Sequence, residues 1–159
     1  MLVQLKNGRD SRPTLVCVRA DGSRTWTKVH PFFPIHDLTH YAVESVLGFT
    51  EAFFGLIASG WDIEAFGTRG AASSMPEEAL WAEHVVGIFD LERGMNRSLS
   101  TEDFNKAVEE SFAGKRTRPF RSLTDAELAA IRALRSELAR RWWGLAAGET
   151  LELPFPAVG

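Results

Sequence analysis

Residues 24–40 read Arg24-Thr25-Trp26-Thr27-Lys28-Val29-His30-Pro31-Phe32-Phe33-Pro34-Ile35-His36-Asp37-Leu38-Thr39-His40, and within them the periodicity of the chain changes. From Arg24 to His30 polar and apolar residues alternate, as they do along a strand with one covered face. Pro31 and Pro34 bring no backbone donor and a fixed φ, so the ladder ends near His30. Beyond Pro34 the apolar residues recur at helical spacing. Leu38, Ala42, Val43, Val46, Phe49, Phe53, Leu56 and Ile57 fall on one broad side, with His40, Glu44 and Glu51 along a narrow stripe opposite. This pattern predicts about six turns of unusually apolar helix, ending near Gly60. Gly48 and Gly55 border the polar stripe, where they would admit a close neighbour.

Upstream of this switch, Leu2 to Lys6 and Thr14 to His30 are strand-like and punctuated by Asn7-Gly8 and Asp21-Gly22. Leu15-Val16-Cys17-Val18 is continuously apolar, as a central strand covered on both faces would be. Asp21-Gly22 should close a hairpin. Downstream, Ala65 to Met75 reads as a loop, and Pro76 opens a second helix through about Arg93 with Gly94 as its stop. Ser100-Thr101-Glu102-Asp103 caps a third helix that ends at Gly114, and Lys115 to Ser122 is a basic linker. Thr124 and Glu127 form a capping box for a fourth, with Leu128, Ile131, Leu134, Leu138, Trp142 and Leu145 as its core stripe. Thr150 to Leu153 returns to the sheet before Pro154 and Pro156. The expectation is an α+β fold: a small antiparallel sheet, made from an N-terminal hairpin and a C-terminal strand, packed with about four helices. The 159 residues suit one domain over residues 1–159.

Composition narrows the function classes. With 45% hydrophobic and 25% charged residues the chain is that of an ordinary globular protein. A net charge of −3 argues against a protein that coats nucleic acid or an anionic membrane. Eight cations between Lys115 and Trp143 stand against Asp125, Glu127 and Glu137, a balance of +5. From Glu77 to Phe112 nine acids stand against Arg93, Arg97 and Lys106, a balance of −6, so the two segments should attract each other. The one cysteine, Cys17, can make neither an intramolecular disulfide nor a C-x-x-C pair, and its apolar setting marks it as core. The first ten residues lack the apolar stretch of a secretory signal, and the longest uncharged apolar run falls far short of the roughly 20 residues that span a bilayer. A soluble, cytoplasmic protein is expected.

Chemistry concentrates where the periodicity changes. Three of the four histidines lie between His30 and His40, and His36, His40 and Glu44 form H-x-x-x-H-x-x-x-E. Residues four apart on a helix stand one above another, so imidazole and carboxylate line one stripe and suit a divalent Zn, Fe, Mn or Ni. The three rise about 12 Å from first to last, so two adjacent members at most can share an ion. Asp37 occupies the position where the H-E-x-x-H metalloprotease motif has glutamate, which removes that reading. As an N-cap it would leave His36 outside the helix. The second helix offers completion through Glu83, His84 and Asp90, with Gly87 permitting close approach; His84 projects about 100° from Glu83. The candidate ligands are therefore His36, His40, Glu44, Glu83 and His84, a subset of which should meet in one cavity between the two helices. Two functions compete. One is a metal-dependent hydrolase or oxygenase; the other is a non-catalytic binding or interaction module whose polar groups satisfy one another. The partner would be a small molecule or a protein, a homodimer stays open, and Trp142-Trp143 is either an anchor for it or core.

Overall fold

The computed structural model describes residues 1–8, 12–68, 75–112 and 121–156. Strands β1 (Leu2–Lys6), β2 (Thr14–Val18) and β3 (Arg24–Lys28) are joined near the chain end by β4 (Thr150–Pro154), all antiparallel in the order β3-β2-β1-β4. Gly22, at φ 84°, supplies the left-handed residue that the β2–β3 turn needs. The closing strand pairs Leu153 with Val3 and Leu151 with Leu5, and Leu5 in turn faces Leu15, so one face of the sheet presents a row of buried aliphatic side chains. Val16 and Val18 remain half-buried while Leu15 and Cys17 are buried. The continuously apolar β2 is thus covered on one face only, which corrects the two-sided expectation. Burial pushes the Cys17 thiol up to about 12 and leaves it an inert core group.

The long apolar helix is in fact two. Helix α1 (Phe33–Leu47) stops where Gly48 turns left-handed at φ 69°, and α2 (Phe53–Ala58) follows after a short turn. Two carboxylates hold that turn. Glu44 Oε2 accepts from Phe54 N at 2.8 Å and Gly55 N at 3.2 Å, and Glu78 Oε2 accepts from Thr50 N at 2.7 Å and from Glu51 N. Gly55 packs directly on the Thr50 backbone, which leaves no room for a Cβ there. The helix begins at Phe33, with Pro34 in its first turn, so both His36 and Asp37 lie inside it. Ile63–Gly67 forms a 3-10 turn against β3. The loop expected for residues 65–75 falls largely outside the described residues, as do Gly114 and most of the basic linker.

Helix α3 (Glu77–Met95) runs past Gly94 and ends at Asn96, whose φ of 49° makes the left-handed cap. A side chain at Gly87 would meet nothing within 4 Å, so no close helix approach depends on it, contrary to expectation. Helix α4 (Thr101–Ser111) is capped by Ser100, which accepts from Asp103 N, and α5 (Asp125–Trp143) carries the Thr124–Glu127 capping box. Helix α1 packs against both α3 and α5. Val3, Leu15, Val43, Phe89, Phe104, Leu138 and Leu151 belong to one apolar core. Val43 and Ile57 are buried, Val46 and Phe53 partly so, and the α1 run from Asp37 to Glu44 is buried on every side. The basic and acidic segments meet where Arg132 pairs with the buried Glu92. Trp142 is core, whereas Trp143 is 70% exposed. Among the described residues no helix is long and apolar enough to cross a membrane.

Candidate metal centre

Pro34 sets the start of α1, and the 3.6-residue repeat then places His36 and His40 on consecutive turns of the face that meets α3. Their rings lie 4.9 Å apart, centroid to centroid, at 65°. From α3, Glu83 and Asp90 reach the same face two turns apart. His36 Nδ1 stands 2.7 Å from Asp90 Oδ2, and His40 Nε2 stands 3.4 Å from Glu83 Oε1. One ligand-capable atom from each of His36, His40 and Glu83 lies within 4.8 Å of the others. Donors about 2.1 Å from a common ion in tetrahedral geometry stand about 3.4 Å apart, so a pair at the 4.8 Å limit would have to close by somewhat more than about 1 Å. Glu83, half-exposed on a mobile two-carbon stem, is the side chain that can do so.

The other faces of the two rings are also occupied by carboxylates. Asp90 takes His36 Nδ1, and Glu44 Oε1 lies 3.5 Å from His40 Nδ1. A carboxylate on the second nitrogen is the arrangement that orients a metal-binding imidazole and raises its basicity. The fit around His40 is loose. At 3.5 Å the contact is longer than a good hydrogen bond, and neither His40 Nδ1 nor Glu44 Oε1 has another hydrogen-bond partner among the described residues. Asp37 Oδ2 is buried without a hydrogen-bond partner as well. Buried polar atoms are rarely left so, and two of these three face each other across the loose His40–Glu44 contact.

Burial and partners separate the electrostatics of the group. Burial pushes His40 down to about 4, with Glu83 opposing, so this imidazole is neutral at physiological pH. Burial also acts downward on His36, but the hydrogen bond and charge of Asp90 outweigh it and hold that imidazole above its usual value. Burial pushes Asp37 up to about 7 and Glu44 well above the ordinary carboxylate range, the latter against the two hydrogen bonds from Gly55 and Phe54. His36, Asp37, His40 and Glu83 line a cavity of about 500 Å³ walled by Phe33, Phe53, Phe66, Ile63, Leu15 and Val29, with Lys28 and His30 also on its lining. A neutral imidazole, a second imidazole backed by a carboxylate and the half-exposed Glu83 side chain form a His/His/Glu group that could hold a metal ion.

Of the five candidates, the structure brings three together and separates two. Glu44 faces the far nitrogen of His40 and is committed to the α2 backbone, so it stands behind the ring rather than beside Glu83. His84 points to α4, where Nδ1 meets Ser111 Oγ at 2.6 Å and the ring stacks on Phe112 at 3.8 Å. Asp37, read from sequence as a cap, is the cavity residue that reasoning missed. The signal was Pro34, which prefers the first turn and so moves the helix start upstream of Asp37. No protein family matches the chain, and comparisons with curated proteins and with solved structures find no match.

Proposed function

We propose that His36, His40 and Glu83 bind a divalent metal, Zn, Fe, Mn or Ni, and that the chain is a metal-dependent enzyme of the hydrolase or oxygenase type. The observation that carries this reading is the convergence of the donor set: one ligand-capable atom from each of His36, His40 and Glu83 lies within 4.8 Å of the others, and Asp90 orients the His36 ring through its second nitrogen. Three protein donors leave coordination positions open, where a bound metal acts as a Lewis acid and activates water or dioxygen. The chain's own residues then shape what happens in the cavity. Phe33, Phe53 and Phe66 wall the cavity with apolar surface and favour an apolar substrate body.

Elemental analysis of the untagged protein after loading with each metal tests the reading. The expected result is one equivalent of one metal per chain. Glu83→Gln, at a half-exposed position that folding tolerates, and His40→Ala should each weaken retention by more than about 100-fold while circular dichroism stays close to wild type. Substoichiometric metal under every loading condition would overturn the proposal. The cluster would then be a polar network that serves packing in a non-catalytic binding module.

A further inference from the structure

A second concave site lies on the opposite side of α1, between α3 and α5, and its central residue is Arg135. The guanidinium lies over the Phe89 ring, 4.2 Å from its centroid, and Nε donates to Thr39 Oγ1 at 3.1 Å. It is half-buried, and among the described residues no carboxylate lies within ion-pair distance of it, although the charges of Glu92 and Asp90 reach it from farther off. The nearby acids are committed elsewhere: Asp90 to His36 and Arg93, Glu92 to Arg132 and Leu99 N. A half-buried cation held in a fixed plane without a carboxylate of its own is an anion acceptor in waiting.

Two adjoining hollows share Arg93 and Arg135. One, about 240 Å³, is lined by Ile35, Leu38, Ala139 and the exposed Trp143; the other, about 260 Å³, by Glu92, Asn96, Arg97 and Ser98. The two hollows together are thus apolar at one end and carry three guanidinium groups, from Arg93, Arg97 and Arg135, towards the other, where the single lining carboxylate, Glu92, is paired with Arg132. That asymmetry selects a ligand. Inorganic phosphate would leave the apolar end empty, and an alcohol would leave the arginines unanswered. We propose that this groove binds a small apolar carboxylate, its anion held by Arg135 and Arg97 and its hydrocarbon chain laid over Ile35, Leu38 and Trp143. No candidate metal ligand lines the groove, so the inference does not rest on the metal reading.

The test uses the whole chain and octanoate as probe, followed by calorimetry and tryptophan fluorescence. Saturable one-to-one binding is expected, with octanol and inorganic phosphate each at least about tenfold weaker. Arg97→Ala and Trp143→Ala, both at exposed side chains, should weaken octanoate about fivefold or more, and Arg135→Lys should weaken it while keeping the charge, because the planar fork is lost. Lys28→Ala, on the lining of the other cavity, should leave binding unchanged. Absence of saturable binding in the millimolar range, equal binding of octanol, indifference to Arg97→Ala and Trp143→Ala, or loss in Lys28→Ala would each overturn the proposal.

Discussion

His36 and His40 occupy successive turns of one helix face, and their surroundings are opposite in kind. At the His36 end the ring is a quarter exposed and meets Asp90, which in turn meets Arg93 at 3.1 Å, so a chain of charges leads outward to solvent. At the His40 end the ring is 3% exposed, packs against Phe53, and faces a carboxyl group that is itself buried. One imidazole is held above its usual pKa and the other is pushed down to about 4. Spacing along a helix brings two like residues to one place. What each can do there depends on how deeply its own ring is buried and on whether a charged carboxylate offsets that burial, as Asp90 does for His36.

The strongest way to break this contrast is at Glu44, because it supports the buried end structurally as well as electrostatically. Glu44→Ala leaves the Phe54 and Gly55 N–H groups buried without an acceptor, at a cost of about 2–5 kcal/mol for the pair. Glu44→Gln keeps an accepting oxygen, and since burial already favours the uncharged acid, the amide should cost no more than about 1 kcal/mol. Denaturant unfolding of the two variants measures the difference. Equal losses would mean that the clamp on α2 does not act through the accepting oxygen.

The same residue shows what sequence reading reaches and where it stops. Caps at Ser100 and Thr124–Glu127, the hairpin at Gly22 and the return of β4 are legible because each depends on residues a few positions apart or on simple alternation. The break between α1 and α2 is not, because the acceptors that hold the turn include Glu78, which arrives from another helix. Helix periodicity groups His40 with either His36 or Glu44 and points to Glu83, His84 or Asp90 across the interface. Choosing between those neighbours required the rotation of α3 about its axis, which the burial of Ala82, Val85, Val86 and Phe89 decides. Asn96 rather than Gly94 ends α3 for a related reason: several residues can take the left-handed cap, and packing selects among them.

At the charged end the informative residue is Asp90. Asp90→Ala frees His36 Nδ1 and removes the charge that makes this imidazole basic, so metal affinity should fall about 10- to 100-fold without loss of fold. Arg93→Ala removes only an exposed pair partner of Asp90, worth about 0.2–1 kcal/mol, and should change affinity much less. Calorimetric titration of both variants orders them. If Arg93→Ala were as costly as Asp90→Ala, the outer charge rather than the hydrogen bond would be positioning the ring.

Proton titration draws the contrast most finely, residue by residue. In metal-free protein the His36 ring signals should move above pH 6.5, whereas those of His40 should stay those of a neutral imidazole until about pH 4. The two then couple to stability with opposite sign. The unfolded chain protonates His40 near 6.5 and the folded chain only near 4, so its contribution is complete above 6.5 and is lost as pH falls through that window, about 3 kcal/mol in all. His36 works the other way: its pairing with Asp90 contributes fully below 6.5 and is lost as pH rises through its raised pKa. Comparing unfolding free energies of wild type and His40→Gln between pH 4 and 6.5 isolates the first slope, since the buried carboxyls Asp37 and Glu44 titrate in both proteins. A His40 ring that titrates together with His36 would show that the two ends share one electrostatic environment, and the division drawn between them would fail.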